Sequence, residues 1–170
     1  MPLSGTMLAV SAFAELTTAL DLGTARAPHL LNRKVSLASG TGAGKADRVF
    51  SDRRTLAASA TEDLDLAGAL VDAFGATITF ARIKGLIIAA ADANTNNVVV
   101  GNATSNGWAT LLSATGTVTL RPGAFVAVGT GVADATGYAV TAGTGDLLKI
   151  ANSAAGTSVT YDIHVIGVSA

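Results

Sequence analysis

Apolar and polar residues alternate most clearly in residues 158–168, S-V-T-Y-D-I-H-V-I-G-V. Val159, Tyr161, Ile163 and Val165 share one parity, and Thr160, Asp162 and His164 the other. Successive strand side chains point to opposite faces, so the segment is predicted to bury the first set and leave the second more exposed. Shorter strands are expected at residues 98–100, 117–120, 125–128, 138–141 and 147–151, with Val118 and Leu120 inward. Residues 92–97 and Arg121-Pro122-Gly123 read as turns. Ile78 and Phe80 share a parity, after which Ile83 and Ile87 turn inward and Arg82 and Lys84 outward. Such a flip requires a β-bulge or corner near Ala81. Short strands at this spacing leave no room for parallel crossovers. They predict an all-β chain, an antiparallel β-sandwich of jelly-roll type with an extended N-terminal arm.

The first third of the chain is less regular. In Thr6–Leu20 the alanines and leucines favour helix, while alternation at Leu8, Val10, Ala12 and Ala14 favours strand. Thr17-Thr18 and the β-rich context tip the reading to strand. Residues 21–54 contain Pro28, a glycine-rich run, and the basic residues Arg26, Arg33, Lys34, Lys45, Arg48, Arg53 and Arg54 against Asp21, Asp47 and Asp52. Beyond Lys84 the only basic residues are Arg121 and Lys149. The early segment is therefore expected to be an extended, loop-like arm that lies on an acidic partner surface. Residues 1–55 are assigned to an N-terminal strand and this basic arm, and residues 56–170 to the sandwich. Glu62, Asp63 and Asp65 read as solvated acids able to pair with the basic segment, within the chain or across a subunit boundary. Residues 67–74 suggest a short helical turn closed by Gly75.

Bulk properties fit this outline. A length of 170 residues suits one domain with an arm. Charged residues are 14%, against the roughly 25% of ordinary soluble domains, which suits a surface covered by other protein. Aromatics are 5%, so Val, Ile, Leu and Ala must build the core. The absence of cysteine excludes disulfides and thiolate metal sites. A net charge of −1 argues against nonspecific nucleic-acid binding. No signal peptide or membrane segment is expected, because Met7 to Leu16 is too short to span a bilayer and Glu15 interrupts it.

Candidate chemistry is sparse. Residues 39–46, S-G-T-G-A-G-K-A, approach a phosphate-binding loop, but Ser39 and Ala46 replace the required glycine and hydroxyl residue. Asp92, Asn94 and Asn96 begin like a calcium loop, yet Asn97 and Ala103 stand where Gly and Glu belong. Asn102-Ala103-Thr104 matches a glycosylation triplet, meaningful only in a secreted eukaryotic protein. His29 and His164 lack second ligands at metal spacing, and no G-x-S-x-G elbow is present. The expectation is a non-enzymatic chain with no cofactor and no metal.

A resemblance enters through short phrases between Lys45 and Ala170: A-D-R-V-F-S-D-R-R-T-L-A-A-S at 46–59, L-D-L-A-G at 64–68, N-T-N-N-V-V-V-G at 94–101, T-G-D-L-L-K-I-A-N-S at 144–153 and T-S-V-T-Y-D-I at 157–163. In these the chain resembles small virion structural proteins of tailed bacteriophages. The resemblance implies a head-decoration (cement) protein on the outer surface of the head, with a tail or fibre-associated receptor- or glycan-binding module as the alternative. It implies the major capsid protein and further copies of the chain, as homodimer or homotrimer, as partners, with no direct nucleic acid and no membrane. For a sugar-stacking role only Trp108, Tyr138 and Tyr161 come into question. The residues expected to touch a partner are Arg26, Arg33, Lys34, Arg48, Arg53 and Arg54.

Overall fold

A computed structural model describes residues 3–170. Among these residues there is no helix. The chain opens with β1 (Thr6–Leu20) and β2 (Gly23–Ser39), which form one long antiparallel hairpin from Thr6↔Leu37 to Leu20↔Gly23. A two-residue strand, β3 (Lys45–Ala46), joins β2 in parallel at Ala38 and Ser39. The remaining strands are β4 (Arg48–Leu56), β5 (Thr61–Asp65), β6 (Arg82–Ala90), β7 (Val98–Gly101), β8 (Thr117–Leu120), β9 (Phe125–Gly129), β10 (Tyr138–Ala139), β11 (Leu147–Asn152) and β12 (Val159–Val168).

They form two antiparallel sheets, neither closed into a barrel. One runs β4-β12-β6, with β9 and β10 both on the far side of β6; the other runs β5-β11-β7-β8. Both face one core. The five-stranded sheet contributes Phe50, Ile88, Tyr161 and Ile163, and the four-stranded sheet Leu64, Val98, Leu120 and Ile150. Alternation decides which residues go inside. On β12, Val159, Tyr161, Ile163 and Val165 are buried, Asp162 is exposed, and Thr160 and His164 are half-buried. The strand lies between β4 and β6, so its backbone is paired on both edges. Past Val165 the alternation ends, and Ile166 and Val168 are buried too. Ile166 belongs to a second small cluster with Leu37 and Ala46, which seats the hairpin root on the body.

Several expectations are corrected. Residues 21–54 are mostly strand rather than loop-like: β2 runs through Arg26, Arg33 and Lys34, and β4 carries Arg48, Arg53 and Arg54, with a short reversal at 40–44. The boundary drawn between residues 55 and 56 falls inside β4. Residues 67–74 form turns rather than a helical turn. They are tied by a Val71↔Thr77 bridge and by Asp72 Oδ1, which accepts from the amides of Phe74 and Ala76 at 2.9 Å each. The irregularity expected near Ala81 lies further along, where the β6–β12 register steps from Ile166↔Gly85 to Gly167↔Ile83 and skips Lys84. A bulged residue is re-aimed. Lys84 is accordingly buried rather than outward, and its Nζ donates to the Asp134 carbonyl at 2.6 Å. Ile87, expected inward, is only half-buried and lies beside His164 on the outer side of the sheet.

Candidate functional site: a projecting hairpin and a charged strand

Of the seven basic residues that the sequence groups together, Lys45 lies on the short β3 and the other six divide into two structural sets. On β4 they are committed within the chain. Arg48 NH1 donates to the Asp47 carbonyl and to Asp47 Oδ2 at 3.0 and 3.1 Å. Arg53 makes a two-pronged contact with Asp162 across the β4–β12 ladder, at 2.6 and 2.8 Å. The hydrogen bond and charge of each partner raise the Arg53 pKa and lower that of Asp162. Both side chains are exposed, so this pair adds little to stability.

Arg54 sits deeper. Its NH1 donates to Glu62 Oε2 at 2.7 Å, its guanidinium lies 5.8 Å from the Phe50 ring centre, and its Nε is 3.1 Å from Asp52 Oδ2 without hydrogen-bond alignment. The other Glu62 oxygen accepts from the Tyr161 hydroxyl at 2.6 Å. Burial first, then the hydrogen bond and charge of Glu62, push the Tyr161 phenol far above its ordinary pKa. Glu62 is thus not a solvated acid: it joins β4, β5 and β12 from inside. The expected pairing between acidic cluster and basic segment is realised within the chain, through Arg54 and Glu62.

The second set lies on the hairpin. Arg26 pairs with Glu15 at 3.1 Å, while Arg33 and Lys34 join no ion pair among the described residues. Residues facing each other across an antiparallel ladder share a face, so the register sorts the hairpin into two surfaces. One carries Leu8/Val35, Val10/Arg33, Ala12/Leu31, Ala14/His29, Leu16/Ala27, Thr18/Ala25 and Leu20/Gly23. The other alternates Ala9/Lys34, Ser11/Asn32, Glu15/Pro28 and Thr17/Arg26 with the apolar pair Phe13/Leu30. At the root the first surface is covered: Leu8 packs over Gly85 and Gly129 on the outer side of the five-stranded sheet, where a Cβ on Gly129 would collide with it. Beyond Leu8 nothing among the described residues covers it, and Leu16, Leu31 and Leu20 are 68, 57 and 61% exposed.

The other candidates serve structural purposes. The run at 40–45 is a reversal between β2 and β3, whose amides at Gly40 and Lys45 are used by the Ala46 and Gly42 carbonyls. Asn94 exchanges hydrogen bonds with the backbone of Thr160 at 2.8 Å each way. Asn96 Nδ2 donates to Asn152 Oδ1 and to the Thr157 carbonyl at 3.0 and 3.1 Å, pinning the approach to β12. Trp108 is buried, packed edge-on against Tyr138 with Nε1 donating to the Ala139 carbonyl at 2.8 Å. Tyr161 is wholly buried, so neither ring is placed for stacking on a sugar. Among the described residues no three His, Asp or Glu side chains converge as metal ligands. The exposed apolar hairpin surface was missed in the sequence, although the alternation of Leu8, Val10, Ala12 and Ala14 is its signature. No family model, curated protein or solved structure matches the chain.

Proposed function

We propose that the chain is a non-enzymatic virion structural protein, a capsid decoration (cement) protein that binds and stabilises the outer surface of a bacteriophage head. The observation that carries this reading is the hairpin. It projects from an all-β body, leaves large apolar residues in water, and holds Arg33 and Lys34 outside any ion pair among the described residues. That is an attachment device, and the resemblance of residues 45–170 to phage virion proteins supplies the class. The finer fold assignment belongs to the same reading. With the hairpin, β3 and short β10 set aside, the remaining eight strands numbered in chain order make sheets 1-8-3-6 and 2-7-4-5. That order supports the jelly-roll reading, an architecture found in viral capsid domains. Its partners would be the major capsid protein and further copies of the chain.

Arg48, Arg53 and Arg54 are occupied within the body and Arg26 pairs with Glu15, so electrostatic attachment falls to Lys34 on the more polar hairpin surface. The test mixes wild-type protein and the Lys34→Glu variant with undecorated heads and measures occupancy after sedimentation at low and high salt. The variant is expected to bind less, and wild-type binding to weaken as salt screens the contact. If neither protein bound heads under any condition, the cement reading would fall.

A further inference from the structure

The overhanging hairpin lacks what a two-stranded ribbon needs. A ribbon without a third strand or a packed layer is marginal in water. From Val10↔Arg33 to Leu20↔Gly23 the hairpin extends roughly 35 Å at ~3.4 Å per residue. Its other surface is more polar, carrying the Glu15–Arg26 pair, Lys34, Ser11 and Asn32 around one exposed apolar pair, Phe13/Leu30. Its apolar surface, built on Val10, Ala12, Leu16, Leu20 and Leu31, contains a single charge, Arg33 at the root. The accessible surface of the chain is 9223 Å². A compact monomer of 16.8 kDa exposes about 7,600 Å², so the excess is roughly 1,600 Å². One hairpin surface represents about half of that, on the order of the 800 Å² each partner contributes to a standard interface.

We infer that the apolar surface of this hairpin is a self-association surface, which packs against the same surface of a second copy with the two hairpins antiparallel. Three observations choose a copy of the chain over another occupant. The area fits one such interface. The surface is self-complementary, since joining two copies buries both apolar surfaces and leaves both polar ones wet. The charges also match end to end. Asp21 stands at the hairpin tip and Arg33 at the root, so an antiparallel pair sets each tip carboxylate near the other copy's root guanidinium. A two-fold contact of this kind uses the same surface on both copies and closes on itself. The inference specifies a self-contact that the cement reading leaves open, and it holds whatever the assembled protein then binds.

The test uses the full-length chain without heads, so its failure is distinct from failure of the cement reading. Analytical ultracentrifugation of wild type should give a dimer, and Leu16→Asp/Leu31→Asp a monomer with an unchanged near-ultraviolet signal from Trp108. Because the chain has no cysteine, single cysteines report each surface directly. Ala12→Cys should react with a water-soluble maleimide much more slowly than Ser11→Cys on the polar side, and equally fast once Leu16→Asp/Leu31→Asp is added. Arg33→Asp should weaken the dimer, and Asp21→Arg in the same chain should restore it. A monomeric wild type, equal labelling at positions 11 and 12, or protection at position 12 only after adding heads would overturn the inference. The last result would assign the surface to the shell protein.

Discussion

Tyr161 and Glu62 form a buried contact in which each side chain depends on the other. Replacing Tyr161 by Phe keeps the ring and removes the donor, leaving one oxygen of a partly buried carboxylate without its partner. A loss of about 1–3 kcal/mol is expected in urea titrations, with unchanged m-value. His164 gives a pH effect of known sign. Burial lowers its pKa in the folded state. Above about pH 6.5 the residue is neutral in both folded and unfolded chains. Below that value the unfolded chain takes up the proton first, so stability falls with acidification until the lower folded pKa is passed. His164→Gln should flatten the melting temperature across that window. A second decline is expected from the ordinary carboxylate range downward, where the unfolded chain takes up protons while Asp72, Asp134 and Asp162, all with lowered pKa, are still ionised in the fold. The Glu62 contact was hidden in the sequence because its acidic neighbours suggest solvent. Its partners, Arg54 and Tyr161, come from two other strands that only the tertiary fold brings to it.

At the scale of elements, the hairpin root is the joint on which the arm depends. Leu8 occupies space that a side chain at Gly129 would need, so Gly129→Val should lift Leu8 off the sheet while leaving the main core intact. Limited trypsin digestion should then cut faster at Arg26, Arg33 and Lys34, with little change in far-ultraviolet circular dichroism. The strands were unequally legible for a physical reason. β12 buries one side, so its alternation is explicit. β2 faces solvent on both sides over most of its length, and Pro28 and the basic residues are tolerated there because nothing packs on them. The resulting pattern is that of a loop. Lys84 was misplaced because a bulge moves the phase of a strand by one residue, and the residue at which the phase moves depends on the partner strand. The motif-like run at 92–97 was correctly placed in a turn, since its Asn and Asp content reflects backbone demands.

At the scale of the molecule, β12 is the hub. Ile163 is buried among side chains of the shared core, and Ile163→Ala should cost about 2–5 kcal/mol through lost burial and the cavity left behind. The whole domain should melt in one lowered transition, because β12 touches both β4 and β6. Its central place also sets the order of events during folding. β4 can complete its ladder only when residues 159–167 reach residues 48–56, and β6 must wait for the same strand. No local hairpin can substitute for that meeting. The body should therefore fold on the slow, millisecond-to-second scale of chains dominated by distant pairings. During that interval the Tyr161 strand and both of its future neighbours remain unpaired edges, and a chain growing crowded with its own copies would be most prone to mispair there.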